Sequence, residues 1–173
     1  MAAAAALTAA ITATLLVSGC GVLNKLGFGG RPDPITPEQS KAQVLDAARD
    51  IVNTTQLDIV KAVFWRSSCN DQGDPPYRSE LLISRPLKES FDAADADDAT
   101  LIDQLKTHGW HPATDFHTHG TALTKNNVVA VIGPQNAATP TRSLHLYGEC
   151  RDYSSEKHTD SMEDIDFSRG PGR

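Results

Sequence analysis

Positive charge is missing where an exported chain normally begins with it: Met1 to Asn24 contains no charged side chain. Long apolar runs are missing too. The stretch Leu7-Thr-Ala-Ala-Ile-Thr-Ala-Thr-Leu-Leu-Val17 is too short to span a bilayer well and reads as a signal-peptide h-region. Basic residues are few and scattered, 16 Lys and Arg against 22 Asp and Glu for a net charge of −6. Nucleic-acid binding needs clustered cations that displace counterions, so it is excluded, and anionic headgroups would not attract this surface. The chain also lacks a Gly-x-Ser-x-Gly elbow, a Cys-x-x-Cys pair, a His-Glu-x-x-His helix and a phosphate loop. Gly27, Gly29 and Gly30 follow no strand and form no dinucleotide fingerprint, so no cofactor is expected. There is no internal repeat.

What the N-terminus does contain is specific. Leu16-Val17-Ser18-Gly19-Cys20 closes the h-region and resembles the lipobox of bacterial lipoproteins. Small side chains at Ser18 and Gly19 let a peptidase reach the backbone, and the Cys20 thiol takes a diacylglycerol. Residues 1–19 are therefore the expected signal peptide, with Cys20 as the lipidated first residue of the mature protein. The expected location is the extracytoplasmic face of the cell membrane. Residues 20–35, rich in Gly and Pro, read as a flexible membrane tether. About 150 residues remain after cleavage, enough for one core.

With Cys20 acylated, Cys69 and Cys150 are an even pair in a compartment that permits oxidation. A disulfide is expected between them, against the alternatives of two separate thiols or a metal pair. It would close a loop of about 80 residues and stabilise the fold by on the order of 4 kcal/mol in the chain-entropy account.

Thr36-Pro37-Glu38-Gln39 predicts a helix start, with Thr36 as cap, Pro37 in the first turn and Gln39 completing a capping box. Val44, Leu45, Ala48, Ile51, Val52 and Thr55 then repeat at helical spacing. Ile59 to Trp65 predicts a strand running on towards Cys69, and Tyr77 to Arg85 a second one that Pro86 stops. The Asp- and Ala-rich segment Asp92 to Asp98 reads as a polar link leading to a second helix from Ala99 to His108, capped by Gly109. Asn126-Asn127 predicts a tight hairpin between Thr121–Lys125 and Val128–Ile132, and Ser143 to Cys150 alternates as a final strand. Residues 152–173 are polar and read as a disordered tail.

The order α-β-β-α-β-β-β gives an α+β domain over residues 36–151: an antiparallel or mixed sheet of about five strands with both helices packed on one face. A disulfide would bring the ends of the first and last strands together, which favours those two strands as parallel neighbours. The lipobox at Cys20, Leu105-Lys-Thr-His-Gly-Trp110, the Asn126-Asn127 hairpin and Leu146-Tyr-Gly-Glu-Cys150 are similar to the small lipoproteins of mycobacteria and related actinobacteria, with names such as LppJ and LppA. That resemblance implies an envelope location and an α+β domain, and carries over no catalytic residues.

Histidines form the one chemical cluster visible in the sequence: His108, His111, His117 and His119. His117 and His119 on one strand face could ligate Zn²⁺, with Asp115 as a further ligand or acceptor. Solvated loop histidines explain the same residues more simply beside Gly109, Pro112 and Gly120. Trp65, Tyr77, Trp110 and Tyr147 could line a cleft, but large aromatics more often fill a core. Asp92 to Asp98 lacks the spacing of a calcium loop. The reading reached is a lipid-anchored, non-catalytic binding or accessory module for an unknown envelope protein or small ligand. The alternative is an envelope hydrolase or metalloprotein using the segment from His108 to His119.

Overall fold

The structure, a computed structural model, describes residues 32–155 and 161–167. Cys20, the expected signal peptide and most of the expected tether lie outside the described residues. A compact unit begins at Pro32. Its first helix, α1, spans Pro37–Thr55 and starts with the capping box. Gln39 N–H donates to Thr36 Oγ1 at 3.2 Å, and the Thr36 N–H donates to Gln39 Oε1 at 2.8 Å. The helix ends at Gln56 in the left-handed region, φ 51°.

Among the described residues there are seven strands: β1 Lys61–Ser68, β2 Tyr77–Arg85, β3 His111–Pro112, β4 Thr121–Lys125, β5 Val128–Ile132, β6 Arg142–Tyr147 and β7 Glu163–Asp164. They form one sheet in the order β3-β4-β5-β6-β2-β1-β7, every neighbouring pair antiparallel. The α+β class therefore stands, with two short edge strands beyond the expected five. Asn126 (φ 50°) and Asn127 (φ 62°) form the tight turn between β4 and β5.

The second helix, α2, spans Phe91–Thr107, eight residues longer at its start than expected. The Asp92 to Asp98 segment is helical because its charges are placed to suit a helix. Ser90 caps it, Asp92 sits in the first turn where the dipole favours an acid, and Asp97 and Asp98 are neutralised by arginines of the sheet. At its other end Gly109 takes φ 86°, a turn that lets Trp110 N–H donate back to the Leu105 carbonyl and carries Trp110 into the core.

Alternation divides the sheet into two faces. Ala62, Phe64, Leu81, Ile83, Leu123, Val128, Ala130, Ile132, Leu144 and Leu146 line the first, and Val44, Leu45, Ala48 and Ile51 of α1 with Leu101 and Leu105 of α2 complete this core. Fully burying a Leu, Ile or Val is worth about 1.5–3 kcal/mol each, so this face supplies most of the apolar driving force. Side chains at the intervening positions, Trp65, Ser67, Arg78, Glu80, Leu82, Val129, His145 and Tyr147, share the opposite face.

Cys69 and Cys150 are joined, with Cα atoms 6.0 Å apart. They do not make β1 and β6 neighbours. β2 lies between those strands, which consequently run the same way, and the disulfide bridges the residues just beyond their ends across the start of β2. Residues 152–155 and 161–167 also depart from a disordered tail. Asp152 is fully buried and pairs with Tyr77 through two backbone hydrogen bonds, Glu163 and Asp164 add an edge strand to β1, and Ile165 and Phe167 pack against the core.

Candidate functional site

Polar chemistry concentrates on the sheet face opposite the helices. The alternation of β6 places His145 and Tyr147 on that face, and the register of β2 against it brings Glu80 alongside. Glu80 is only 6% exposed. Arg78 Nε donates to its Oε1 at 2.8 Å, Ser67 Oγ donates to the same oxygen, and His145 Nε2 stands 3.0 Å from Oε2. Burial alone would raise the Glu80 carboxyl, but the His145 and Ser67 contacts and the charge of Arg78 outweigh it. The result is a pKa lowered from 4.5 to about 2. The carboxylate is therefore ionised at any physiological pH.

The array continues outward. Tyr147 Oη lies 2.7 Å from His145 Nδ1. His145 thus presents Nδ1 to the phenol and Nε2 to the Glu80 carboxylate, linking the two. Burial, and then the nearby Glu80 charge, push the Tyr147 phenol above its usual range. Around it lie Trp65, with its ring 5.1 Å from His145, Phe116, 5.1 Å from Tyr147, and the Arg78 guanidinium 4.7 Å over the Tyr147 ring. Trp65, Phe116 and Tyr147 are each partly exposed.

The four candidate aromatics thus separate. Tyr77 and Trp110 are core residues at 6% and 1% exposure, whereas Trp65 and Tyr147 belong to the open face. The histidine segment is not brought together as a site. His108 caps α2 with Nδ1 2.8 Å from the Gln104 carbonyl, His111 lies in β3, and His117 and His119 are exposed loop residues between β3 and β4. Among the described residues, no group of three or more His, Cys, Asp or Glu side chains is placed to hold a metal ion. Glu80 and His145 were not singled out by sequence reasoning. Their signal was available, since the β6 alternation puts His145 and Tyr147 on one face, but Glu80 joins them only through the β2–β6 register.

Fold and site together define a small disulfide-linked α+β domain whose single sheet has one face closed by helices and one face open. The chain belongs to the family described as "Putative lipoprotein LppJ", which matches residues 36–168. It is 32% identical over 169 residues to a protein named "Putative lipoprotein LppJ" of Mycobacterium bovis, covering 92% of this chain and 88% of the relative. Proteins of the same name from Mycobacterium tuberculosis strains CDC 1551 and H37Rv are 32% identical over 160 residues, covering 87% of this chain and 83% of theirs. No solved structure matches the chain. No helix among the described residues is long and apolar enough to cross a membrane.

Proposed function

We propose that the protein is a lipid-anchored cell-envelope module, attached through diacylated Cys20 on the extracytoplasmic face, that binds another envelope protein without catalysing a reaction. The lipobox and the name shared by its relatives support the anchor. The Cys69–Cys150 disulfide supports an oxidising compartment. On this reading residues 1–19 are removed, residues 20–35 act as the tether, and that tether joins the domain where Ile35 N–H donates to the Arg151 carbonyl.

The observation that carries the binding role is the open face itself: Trp65, Phe116 and Tyr147 partly exposed around a charge array already locked by Ser67, Arg78, Glu80 and His145. Aromatic and Arg side chains dominate binding energy at protein interfaces, and a pre-ordered array loses little entropy when it is covered. A sheet face bearing partly exposed aromatics fits a second protein surface. Tethering raises the local concentration of the module for partners in the same membrane.

Two measurements test the reading separately. Mass spectrometry of the protein from its native envelope should find diacylglyceryl Cys20 at the mature N-terminus, and Cys20→Ala should release it from the membrane fraction; an unmodified, unprocessed precursor overturns the anchor. A photo-crosslinking residue at position 65 in the native host should give one discrete adduct, lost on Tyr147→Ala, while the same residue at Lys106 on α2 should give none. Equal labelling at both positions overturns the open face as the binding surface.

A further inference from the structure

The helix-covered side of the domain holds a second charged assembly, unlike the first in one respect: its cations outnumber the anions they touch. Arg85 at the end of β2 and Arg142 at the start of β6 are 1% and 2% exposed, and both reach Asp98 of α2. Asp97 is shared between Arg142 Nη2 at 2.6 Å, Lys88 Nζ at 2.8 Å and Arg85 Nη2 at 3.5 Å. Burial works to raise the Asp97 carboxyl, but Lys88 and Arg142 hold it below its usual value. Three cations therefore meet two carboxylates, leaving one positive charge in excess.

The two arginines are used differently. Arg142 spends every nitrogen: Nε donates to the Pro86 carbonyl, Nη1 to Asp98 and the Ala94 carbonyl, and Nη2 to Asp97. Arg85 donates through Nη2 to Asp98, while its buried Nε and Nη1 have no hydrogen-bonding partner in the protein. A guanidinium carries five N–H donors and cannot lose its charge, so an arginine this deeply buried calls for a further acceptor, best an anionic one. A pocket of about 220 Å³ opens beside it. Its walls combine Arg85, Arg142 and Lys88 with Leu57, Leu101 and Gln104. Asp58 also borders it, but that residue is exposed and its charge is screened by solvent.

We propose that this pocket binds a small organic carboxylate, with the net positive charge of the Arg85, Arg142 and Lys88 cluster as its counter-charge. One surplus charge matches a monoanion, whereas a phosphate dianion would leave the site with a net negative charge. Leu57 and Leu101 offer contact for a short hydrocarbon body, and Gln104 a hydrogen bond. The site lies on the helix-covered side, so it stands independently of the role assigned to the open face. It is also at the end of β2 opposite Tyr77, whose neighbour Asp152 follows the Arg151 at which the N-terminal segment joins the domain.

The test is calorimetric titration of the full mature protein, in detergent, with sodium butyrate, sodium phosphate and butylammonium chloride at matched ionic strength. Saturable millimolar binding of butyrate is expected, at least tenfold weaker binding of phosphate, and none of butylammonium. Thr100→Tyr, at an exposed pocket-lining position of α2, should weaken butyrate binding at least tenfold with an unchanged melting temperature. Arg85→Lys keeps the charge and removes the spare donors, and should likewise weaken butyrate binding at least tenfold. If that variant fails to fold, Thr100→Tyr decides alone. Absence of saturable butyrate binding, phosphate binding as tight as butyrate, or Thr100→Tyr binding butyrate as wild type would each overturn the proposal.

Discussion

The two charged assemblies of this domain lie on opposite faces of one sheet and obey different rules. On the open face a single carboxylate, Glu80, is surrounded by Arg78, Ser67 and His145, and the set grades outward into partly exposed aromatics. On the covered face Asp97 and Asp98 fasten α2 to the ends of β2 and β6 through two fully buried arginines. Losing Glu80 leaves Arg78, a quarter of whose side chain is exposed and can turn to water, whereas losing Asp98 leaves the charges of Arg85 and Arg142 buried. Position relative to the helices, more than the identity of the ion pairs, sets what each is worth.

The sharpest way to break this contrast is Asp98→Ala. It removes the carboxylate that both Arg85 and Arg142 contact, and should cost about 3–5 kcal/mol, the range for breaking a buried pair from one side. Denaturant titration at neutral pH measures it. A loss below about 1 kcal/mol, the range of surface pairs, would show that water already enters the covered cluster. The two tryptophans extend the same contrast to apolar groups. Trp110→Ala should cost about 3–5 kcal/mol because the side chain is 1% exposed and leaves a cavity, whereas Trp65→Ala on the open face should cost under about 1 kcal/mol. Equal losses would mean that the open face is structural.

Legibility in the sequence followed the same division. Local signals were sufficient for α1, whose capping box and apolar stripe are contiguous, for the Asn126-Asn127 hairpin and for β2. The class of fold followed from them. What needed tertiary contacts was not legible. The first eight residues of α2 look like an acidic link until Arg85 and Arg142, distant in the chain, supply the charges that make a helix tolerable there. β7 is two residues of a polar segment, and nothing local marks it as pairing with Val63 and Phe64. The candidate site was half legible: alternation groups His145 with Tyr147, but Glu80 meets them only in the register fixed by the whole sheet.

Acid titration probes the open-face array from another side. Glu80 has a folded pKa of about 2 against 4.5 for the free group, so its ionised form stabilises the fold above about pH 4.5, and that contribution disappears as pH falls towards 2. The difference corresponds to on the order of 3 kcal/mol at most. Glu80→Gln should therefore be less stable than wild type at pH 7, with the gap closing between about pH 4.5 and 2. A gap independent of pH would mean that shape and hydrogen bonding, not charge, make Glu80 useful.

A modest effect is expected from the C-terminal segment, which belongs to neither assembly and so gives a baseline for both. Ending the chain after Ser154 removes β7, with the Lys41–Glu163 contact at 2.5 Å and the Lys61–Asp164 contact at 3.0 Å. Glu163 and Asp164 are well exposed, so these pairs contribute little. Most of the loss should come from Ile165 and Phe167, which are partly buried against the core, and it should total about 1–2 kcal/mol. Asp152 remains in such a truncation, still paired with Arg66 at 2.5 Å and with the Tyr77 backbone, so the end of β2 should keep its structure. Amide hydrogen exchange distinguishes the outcomes. Loss of protection confined to the β1 edge around Val63 and Phe64 is expected; loss spreading to β2 and β6 would make the segment a structural part of the sheet, and the contrast between the faces would then have to include its edge.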